Sequence, residues 1–249
     1  MKNLTAFIGV VLTASLLFSS QAEAYGLFFN AGAGLQTQTN KVAPNISLTY
    51  TESGATTAAS AKSMLEAIQP AAEFQFGYDA LIGKHLYWGS NLFLNTSTGQ
   101  KRTYSTHATD TEGSSVTNLA VNLKNKFDPL AGGIDFRLGY GTENTAIFSI
   151  LGMSVTGIDT SVEVSYNITG DYPDSDYAVG NFRKIVAGVR AGVGLQHMFT
   201  ENWGVYMRYV YTQYQKYSKH IETSDPVSTF DKHDAPYTQS SMVSVVYSF

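Results

Sequence analysis

Seven charged residues lie in segments whose other positions are mostly apolar, small or uncharged. Arg190, for example, lies between Val189 and Ala191. Apolar residues at every second position follow the period of a β-strand, so the charges share the opposite face. Charges of opposite sign that face each other across a narrow space either neutralise one another as salt bridges or line a narrow ion path. The seven residues are Glu73, Asp79, Asp135, Arg137, Lys184, Arg190 and Arg208.

The positions of the histidines in the sequence give no indication of a catalytic site. A serine nucleophile needs an adjacent base, and none of the five histidines is followed by serine two positions later. The chain contains no cysteine, which excludes disulfides and thiolate metal sites. We therefore expect no catalytic residue, no cofactor and no metal site, and a lipid-modifying enzyme is the least favoured function.

Eight segments alternate as the wall of a β-barrel should. The fifth is the least regular, because Phe148 and Ile150 have one parity whereas Leu151 and Met153 have the other. A β-bulge near Gly152 would reconcile them. The segments are 27–36, 72–82, 86–96, 127–140, a fifth that begins at 146, 184–196, 203–212 and the final strand, which ends at 249.

Connections between these segments are alternately short and long, as in transmembrane barrels with short periplasmic turns and long outer loops. Two parts of the long connections, 45–51 and 161–166, alternate in the strand period. They either extend strands beyond the membrane or form two further membrane strands, making ten. Residues 58–69 form either a short helix or a disordered loop. The short connections are 83–85, 141–145 and 200–202, and the long ones are 37–71, 97–126, 157–183 and 213–236.

The first 24 residues have the features of an export signal. Lys2 supplies a positive charge, residues 4–18 are mostly apolar, and Ala22-Glu23-Ala24 is a small-residue cleavage site before Tyr25. We expect a signal peptide over 1–24 and a barrel over 25–249. The formal net charge of −4 gives no reason to expect nucleic-acid binding.

Apolar or aromatic residues occupy alternate positions of the last segment: Val243, Val245, Tyr247 and Phe249. This pattern resembles the C-terminal strand of bacterial outer-membrane barrels, whose final aromatic residue is read by the barrel-insertion machinery. The whole pattern of signal, hairpins, charged interior and final aromatic resembles the OmpA-type transmembrane domain and related porin-family surface antigens of Gram-negative bacteria. The resemblance implies an all-β, antiparallel, up-and-down barrel in the outer membrane, with eight strands, or ten in the alternative.

The resemblance implies contact with outer-membrane lipid, with aromatic girdles at both membrane interfaces. We expect Phe127, Phe182, Tyr211 and Tyr214 near the outer interface. The favoured function is that of a non-enzymatic surface protein that supports envelope integrity and presents four loops to host cells, phage or antibodies. The alternative is a low-conductance porin for ions or small solutes.

Overall fold

The computed structural model describes residues 26–49, 56–60, 63–99, 101–112, 115–169, 174–222 and 227–249. Within these ranges the chain forms eleven strands: β1 (Leu27–Thr49), β2 (Thr56–Ser60), β3 (Ser63–Ile82), β4 (Leu86–Ser97), β5 (Lys101–Glu112), β6 (Ser115–Gly141), β7 (Thr145–Thr169), β8 (Asp174–Met198), β9 (Trp203–Tyr214), β10 (Tyr217–Glu222) and β11 (Val227–Ser248). The residues of the predicted signal and its cleavage site, Ala22, Ala24 and Tyr25, lie outside the described ranges. In the described part of the chain, no helix has the length and apolar character needed to cross a membrane.

Eight of the strands form a closed antiparallel barrel in the order β1, β3, β4, β6, β7, β8, β9, β11. Closure comes from β11 and β1, which pair from Phe28↔Ser248 to Thr49↔Val227. The three short strands β2, β5 and β10 pair with the outer halves of β1, β6 and β11. The prediction of eight strands is confirmed. Of the residues considered for two further membrane strands, 45–49 belong to β1 and 161–166 to β7, and 50–51 lie outside the described ranges.

The long connections are built largely from extensions of the wall strands. β7 runs to Thr169 without interruption and stays paired with β6 and β8 over most of that length. Extending a ladder supplies partners for backbone N–H and C=O groups that an irregular loop would leave to water. The prediction of a helix or disordered loop over 58–69 is wrong where the structure describes it: residues 58–60 belong to β2 and 63–69 to β3, and 61–62 lie outside the described ranges. Ala67 and Gln69 are buried and Ile68 is exposed, which is the alternation of a strand.

The wall alternates between an apolar outer face and a mixed inner face. Leu35 and Ile185 on the outside are 59% and 70% exposed, as expected of side chains that face lipid. The predicted bulge near Gly152 is absent, because β7 keeps a continuous register with β8 through that residue. The register shift lies elsewhere in the pairing of β6 with β7, between Phe127 and Ala131, which pair with Ile158 and Thr156. Phe148 and Ile150 point into the barrel, where they are buried, and this explains their parity.

Aromatic rings cluster at the end of the barrel that carries the short turns. Trp203 contacts Tyr247 with ring centroids 4.8 Å apart, and Tyr247 contacts Phe249 at 5.1 Å. At the other end only part of the predicted girdle faces outward. Phe127 and Tyr214 are buried inside the barrel and Phe182 packs against their cluster, so these three expected girdle residues belong to the interior packing described below.

Candidate functional site: the barrel interior

Four of the predicted charged residues meet in the middle of the barrel: Glu73 of β3, Asp135 of β6, Arg190 of β8 and Arg208 of β9. Arg208 forms an ion pair with Glu73, and its Nη1 lies 3.7 Å from Asp135 Oδ2. Arg190 Nε lies 3.2 Å from Asp135 Oδ1, and its Nη2 lies 3.9 Å from Glu73 Oε2. Each arginine therefore contacts both carboxylates. We call these four residues the central cluster.

A glycine makes room for the contact between Arg190 and Asp135. Strand β7 separates the two strands that carry them, and Gly152 is the register partner of both residues. A Cβ at this position would lie 2.2 Å from Asp135 Oδ1 and 2.4 Å from the carbonyl oxygen of Ile134. Any side chain here would displace the carboxylate or the backbone.

A second buried pair, Arg137 and Asp79, uses the same arrangement nearer to the short turns. Gly89 of β4 is the register partner of both residues, and a Cβ there would lie 2.1 Å from Asp79 Oδ1. Arg137 Nη1 lies 3.3 Å from Asp79 Oδ2. An acid, a glycine and an arginine thus follow one another across three neighbouring strands at two places in the wall.

Aromatic rings surround the guanidinium of Arg137. Its Cζ lies 4.6 Å from the ring centroid of Phe28, 4.7 Å from that of Tyr206 and 5.3 Å from that of Phe148. A cation over an aromatic face is attracted by the ring quadrupole, and more strongly where water is excluded. These contacts hold the arginine in the apolar end of the interior.

Gln75 connects the two charged groups into one network. Its amide nitrogen donates to Glu73, and its amide oxygen accepts a hydrogen bond from Arg137. The network contains three carboxylates and three guanidiniums, all of them buried. Their formal charges cancel, which is the condition under which buried charges are tolerated.

Apolar side chains close the interior on both sides of the central cluster. Towards the short turns the packed residues are Leu81, Tyr87, Ala146, Phe148, Ile150, Tyr206 and Val210, with Phe28, Met198 and Val246 in a neighbouring group. At the opposite end of the interior, away from the short turns, the packed residues are Phe127, Ile158, Val186 and Tyr214, with Phe182 against them. We call this group the outer apolar layer. The alternation along the sequence predicts neither layer. Its one visible signal, the parity of Phe148 and Ile150, indicates a bulge instead.

Lys184 is not brought into the network. It is exposed, and no ion pair within the described residues includes it. Two residues further along β8, Val186 belongs to the outer apolar layer. This layer separates Lys184 from the central cluster.

The last strand presents its alternate residues to the outside, as its pattern indicates. Val243 and Val245 are exposed on the wall, and Tyr247 is half-buried against Trp203. Phe249 is 71% exposed, and its backbone N–H donates to the carbonyl of Leu27 at 2.9 Å. The ring of Phe249 is thus available at the barrel surface, while its backbone continues the ladder.

Two histidines lie beside the short turns, away from the central cluster. His85 stacks on Tyr140 with centroids 4.7 Å apart, and His197 Nδ1 lies 2.8 Å from the Thr145 hydroxyl. Within the part of the chain that the structure describes, no three His, Asp or Glu side chains are grouped so as to hold a metal ion.

Three solved structures illustrate the similarity to known proteins. The chain is 14% identical to the outer membrane protein OprG of Pseudomonas aeruginosa, with a TM-score of 0.46, covering 92% of this chain and 98% of that one. For the attachment invasion locus protein Ail of Yersinia pestis the values are 11%, 0.31, 87% and 99%. For the outer membrane protease OmpT of Escherichia coli they are 12%, 0.31, 89% and 97%. No curated protein matches the sequence.

The family assignment agrees with the closed barrel, its apolar outer wall and its polar interior. The sequence profile of the outer membrane protein beta-barrel domain matches residues 10–249. The family and the fold place the protein in the outer membrane of a Gram-negative bacterium, in contact with its lipid. The chain belongs to the outer membrane protein β-barrel domain family.

Proposed function

We propose that this protein is a non-enzymatic, sealed barrel that anchors four long β-hairpins at the cell surface, where they contact host cells, phage or antibodies. The observation that carries the proposal is the packing of the interior. The central cluster lies between two apolar layers and is itself buried and neutral. An eight-stranded barrel has an interior that its own side chains can fill.

The proportions of the strands support a role for the outer hairpins. β6, β7 and β8 contain 27, 25 and 25 residues. About 9–11 residues are enough for a tilted strand to cross the membrane. More than half of each of these strands therefore lies outside the apolar belt, which is the band of lipid-facing apolar side chains around the membrane-spanning part of the wall. A rigid wall that carries long projections is a common arrangement for proteins that act through their loops.

A low-conductance pore is the second candidate, and one observation favours it. Glu73, Gln75 and Arg137 link the central cluster to the second pair, so charged and polar groups continue along part of the barrel axis. Conduction through this path would require Arg190 or Arg208 to leave its carboxylates and the apolar layers to separate. Both steps expose buried charge or apolar surface, which disfavours the open state.

Enzymatic activity is the least supported candidate. Within the described interior, the buried carboxylates Glu73, Asp79 and Asp135 all have arginine partners. A hydrolase acting on outer-leaflet lipid would need its nucleophile and base at the outer end of the barrel. The histidines at that end, His107, His220 and His233 of β5, β10 and β11, are not followed by serine two positions later. We therefore assign the protein no catalytic residue and no cofactor.

Single-channel recording in a planar bilayer tests the proposal. The refolded protein should insert without producing stable openings, and insertion should be confirmed separately by protease protection. Arg190→Ala should produce openings or increase leak, whereas Lys184→Ala, which removes an exposed cation outside the outer apolar layer, should stay silent. Reproducible openings of the unaltered protein that change in selectivity with Arg190→Ala would instead support the pore.

A further inference from the structure

Beyond the apolar belt the barrel wall separates at two places. Between β3 and β4 the ladder ends at Ala71↔Ser97. Between β8 and β9 it ends just after Gly188↔Tyr214, where the Gln215 N–H donates to the Ala187 carbonyl at 2.8 Å. The outer part of the barrel therefore consists of two sheets. One contains β10, β11, β1 and β2 with the outer part of β3, and the other contains β5, β6, β7 and β8.

The second separation follows from the path of the chain after β9. Residues 215 and 216 are not in a strand. The chain then continues as β10, which pairs with β11 from Tyr217↔Asp234 onward. β10 therefore joins the sheet that contains β11. It does not continue the pairing that β9 makes with β8.

Within the described part of the chain, the outer half of β8 consequently has one edge without a neighbouring strand. Its other edge is paired with β7 from Ile168↔Asp174 to Ile158↔Lys184 in unbroken register. Among the described residues no strand pairs with the opposite edge over 174–186. Since Ala187 offers its carbonyl to that side, every second residue from Ser175 to Ile185 directs its N–H and C=O there. We call these six residues the β8 edge.

The base of this edge is held in place by packing and by charge pairs. Phe182 packs against the outer apolar layer. Arg183 forms ion pairs with Asp128 and, at 3.8 Å, with Asp159 on the outside of the wall. Lys184 is exposed beside the gap that opens where β8 and β9 separate, and no ion pair within the described residues includes it. A strand edge that is held in place in this way is organised to form hydrogen bonds with an added strand.

We propose that the β8 edge binds an extended segment of another polypeptide, which adds to the sheet as a further strand. Only a polypeptide backbone offers donors and acceptors that alternate at the spacing of this edge. An unpaired strand edge is a template for such addition. A carboxylate on the inner face of the added strand would pair with Lys184.

A second copy of this chain fits the edge less well. Two barrels in one membrane have the same orientation, so their β8 strands run parallel. Only a two-fold axis along the strands brings the same edge of both copies together, and it sets the N–H and C=O groups of identical residues level with each other. A parallel ladder needs these groups offset by one residue, so a symmetric pair cannot complete it. The edge is therefore assigned to a different polypeptide.

This inference rests on the proposed function, because it supplies a binding chemistry for the surface hairpins. It can fail separately. If the protein gives no current in a bilayer and its β8 edge binds no peptide, the sealed-barrel proposal stands and only the binding edge is refuted. Bilayer currents would remove the sealed barrel without affecting strand addition.

A tethered peptide tests the edge at a defined position. The chain has no cysteine, so Lys216→Cys in the exposed segment beside the gap gives one attachment point. The probe is the peptide Thr-Val-Thr-Glu-Val-Thr-Val on a flexible linker, which raises its local concentration into about the millimolar range. The control peptide has the same sequence with alternate backbone nitrogens methylated, so it cannot complete a ladder. Hydrogen exchange of the β8 edge amides is measured in the full chain in lipid nanodiscs.

The unmodified peptide should slow exchange at the β8 edge by at least about tenfold, and the methylated peptide should not. Asn181→Pro should remove the protection, because the N–H of residue 181 points away from β7; Asn181→Ala should retain it. The proposal is overturned by unchanged exchange, by equal protection from both peptides, or by protection that survives Asn181→Pro. Protection that rises with protein concentration and needs no peptide also overturns it, because the occupant is then a second copy.

Discussion

Arg190 and Asp135 form an ion pair at 3.2 Å although they belong to strands that are not neighbours, β8 and β6. Gly152 of the intervening strand is the register partner of both residues. The pair thus crosses over a position that carries no side chain. The same relationship holds for Arg137 and Asp79 across Gly89. Interior glycines are therefore part of the charge network.

Gly152→Ala should destabilise the barrel. The added methyl group would lie 2.2 Å from Asp135 Oδ1 and 2.4 Å from the backbone oxygen of Ile134, so the strand has to shift. Overpacking of this kind costs about 1–3 kcal/mol. Urea unfolding of the refolded protein in lipid vesicles measures the loss. Gly132→Ala is the control, because its nearest atoms are 3.5 Å away or more. Equal stability of the two variants would contradict the role given to Gly152.

Removing one member of the central cluster should lower the free energy of unfolding by more than removing a matched pair of opposite charges. Arg208→Met leaves Glu73 and Asp135 buried with less compensating charge, and breaking a buried pair in this way costs about 3–5 kcal/mol. Adding Glu73→Gln should recover part of the loss, because one uncompensated carboxylate is neutralised. A double-mutant cycle by urea unfolding gives the coupling between Arg208 and Glu73.

Arg183→Met is the control for the loss of an arginine. Its side chain is 64% exposed, and exposed ion pairs contribute only about 0–1 kcal/mol. If Arg208→Met and Arg183→Met were equally mild, the central cluster would not be the buried network that the distances indicate.

The fold could be predicted because its signals are local and repeated. Alternation at Ile185, Val189 and Val193 identifies a strand and its lipid-facing side without knowledge of its neighbours. The alternation of short and long connections then limits the topology. The extent of pairing beyond the membrane could not be predicted in the same way, because it depends on which neighbouring strand is available, as for β8 and β10.

The interior could be predicted only in part. A charge within an apolar strand, such as Asp135, is assigned to the inner face from parity alone. The heights at which strands meet depend on the register around the whole barrel, which the sequence of one strand does not determine. Lys184 has the same parity as Arg190 but lies beyond the outer apolar layer, and Phe148 is an apolar residue with inward parity.

Phe249→Glu should reduce the amount of protein assembled in the outer membrane. The prediction follows from the resemblance of the final strand to that of other outer-membrane barrels and from the exposure of the Phe249 ring. Because the backbone of this residue makes the hydrogen bond to Leu27, protein refolded in vitro should keep its urea midpoint. Phe199→Glu alters another exposed aromatic residue near the short turns and is the control. Equal outer-membrane levels of both variants would argue against a role in insertion.

Replacing residues 101–122 or 217–234 by a short turn should leave membrane insertion intact and abolish binding to cultured host cells. These segments include β5 and β10, whereas the wall residues Leu86–Ser97 of β4 and Trp203–Tyr214 of β9 stay in place. The belt and the central cluster are therefore preserved, and heat-modifiable migration on gels should still report a folded barrel. Bacteria that express each variant are compared for adherence to cultured cells. Replacing residues 142–144, in a short turn at the other end, is the control and should not change adherence. Full adherence after both outer replacements would show that these two hairpins are not the binding elements and would contradict this prediction.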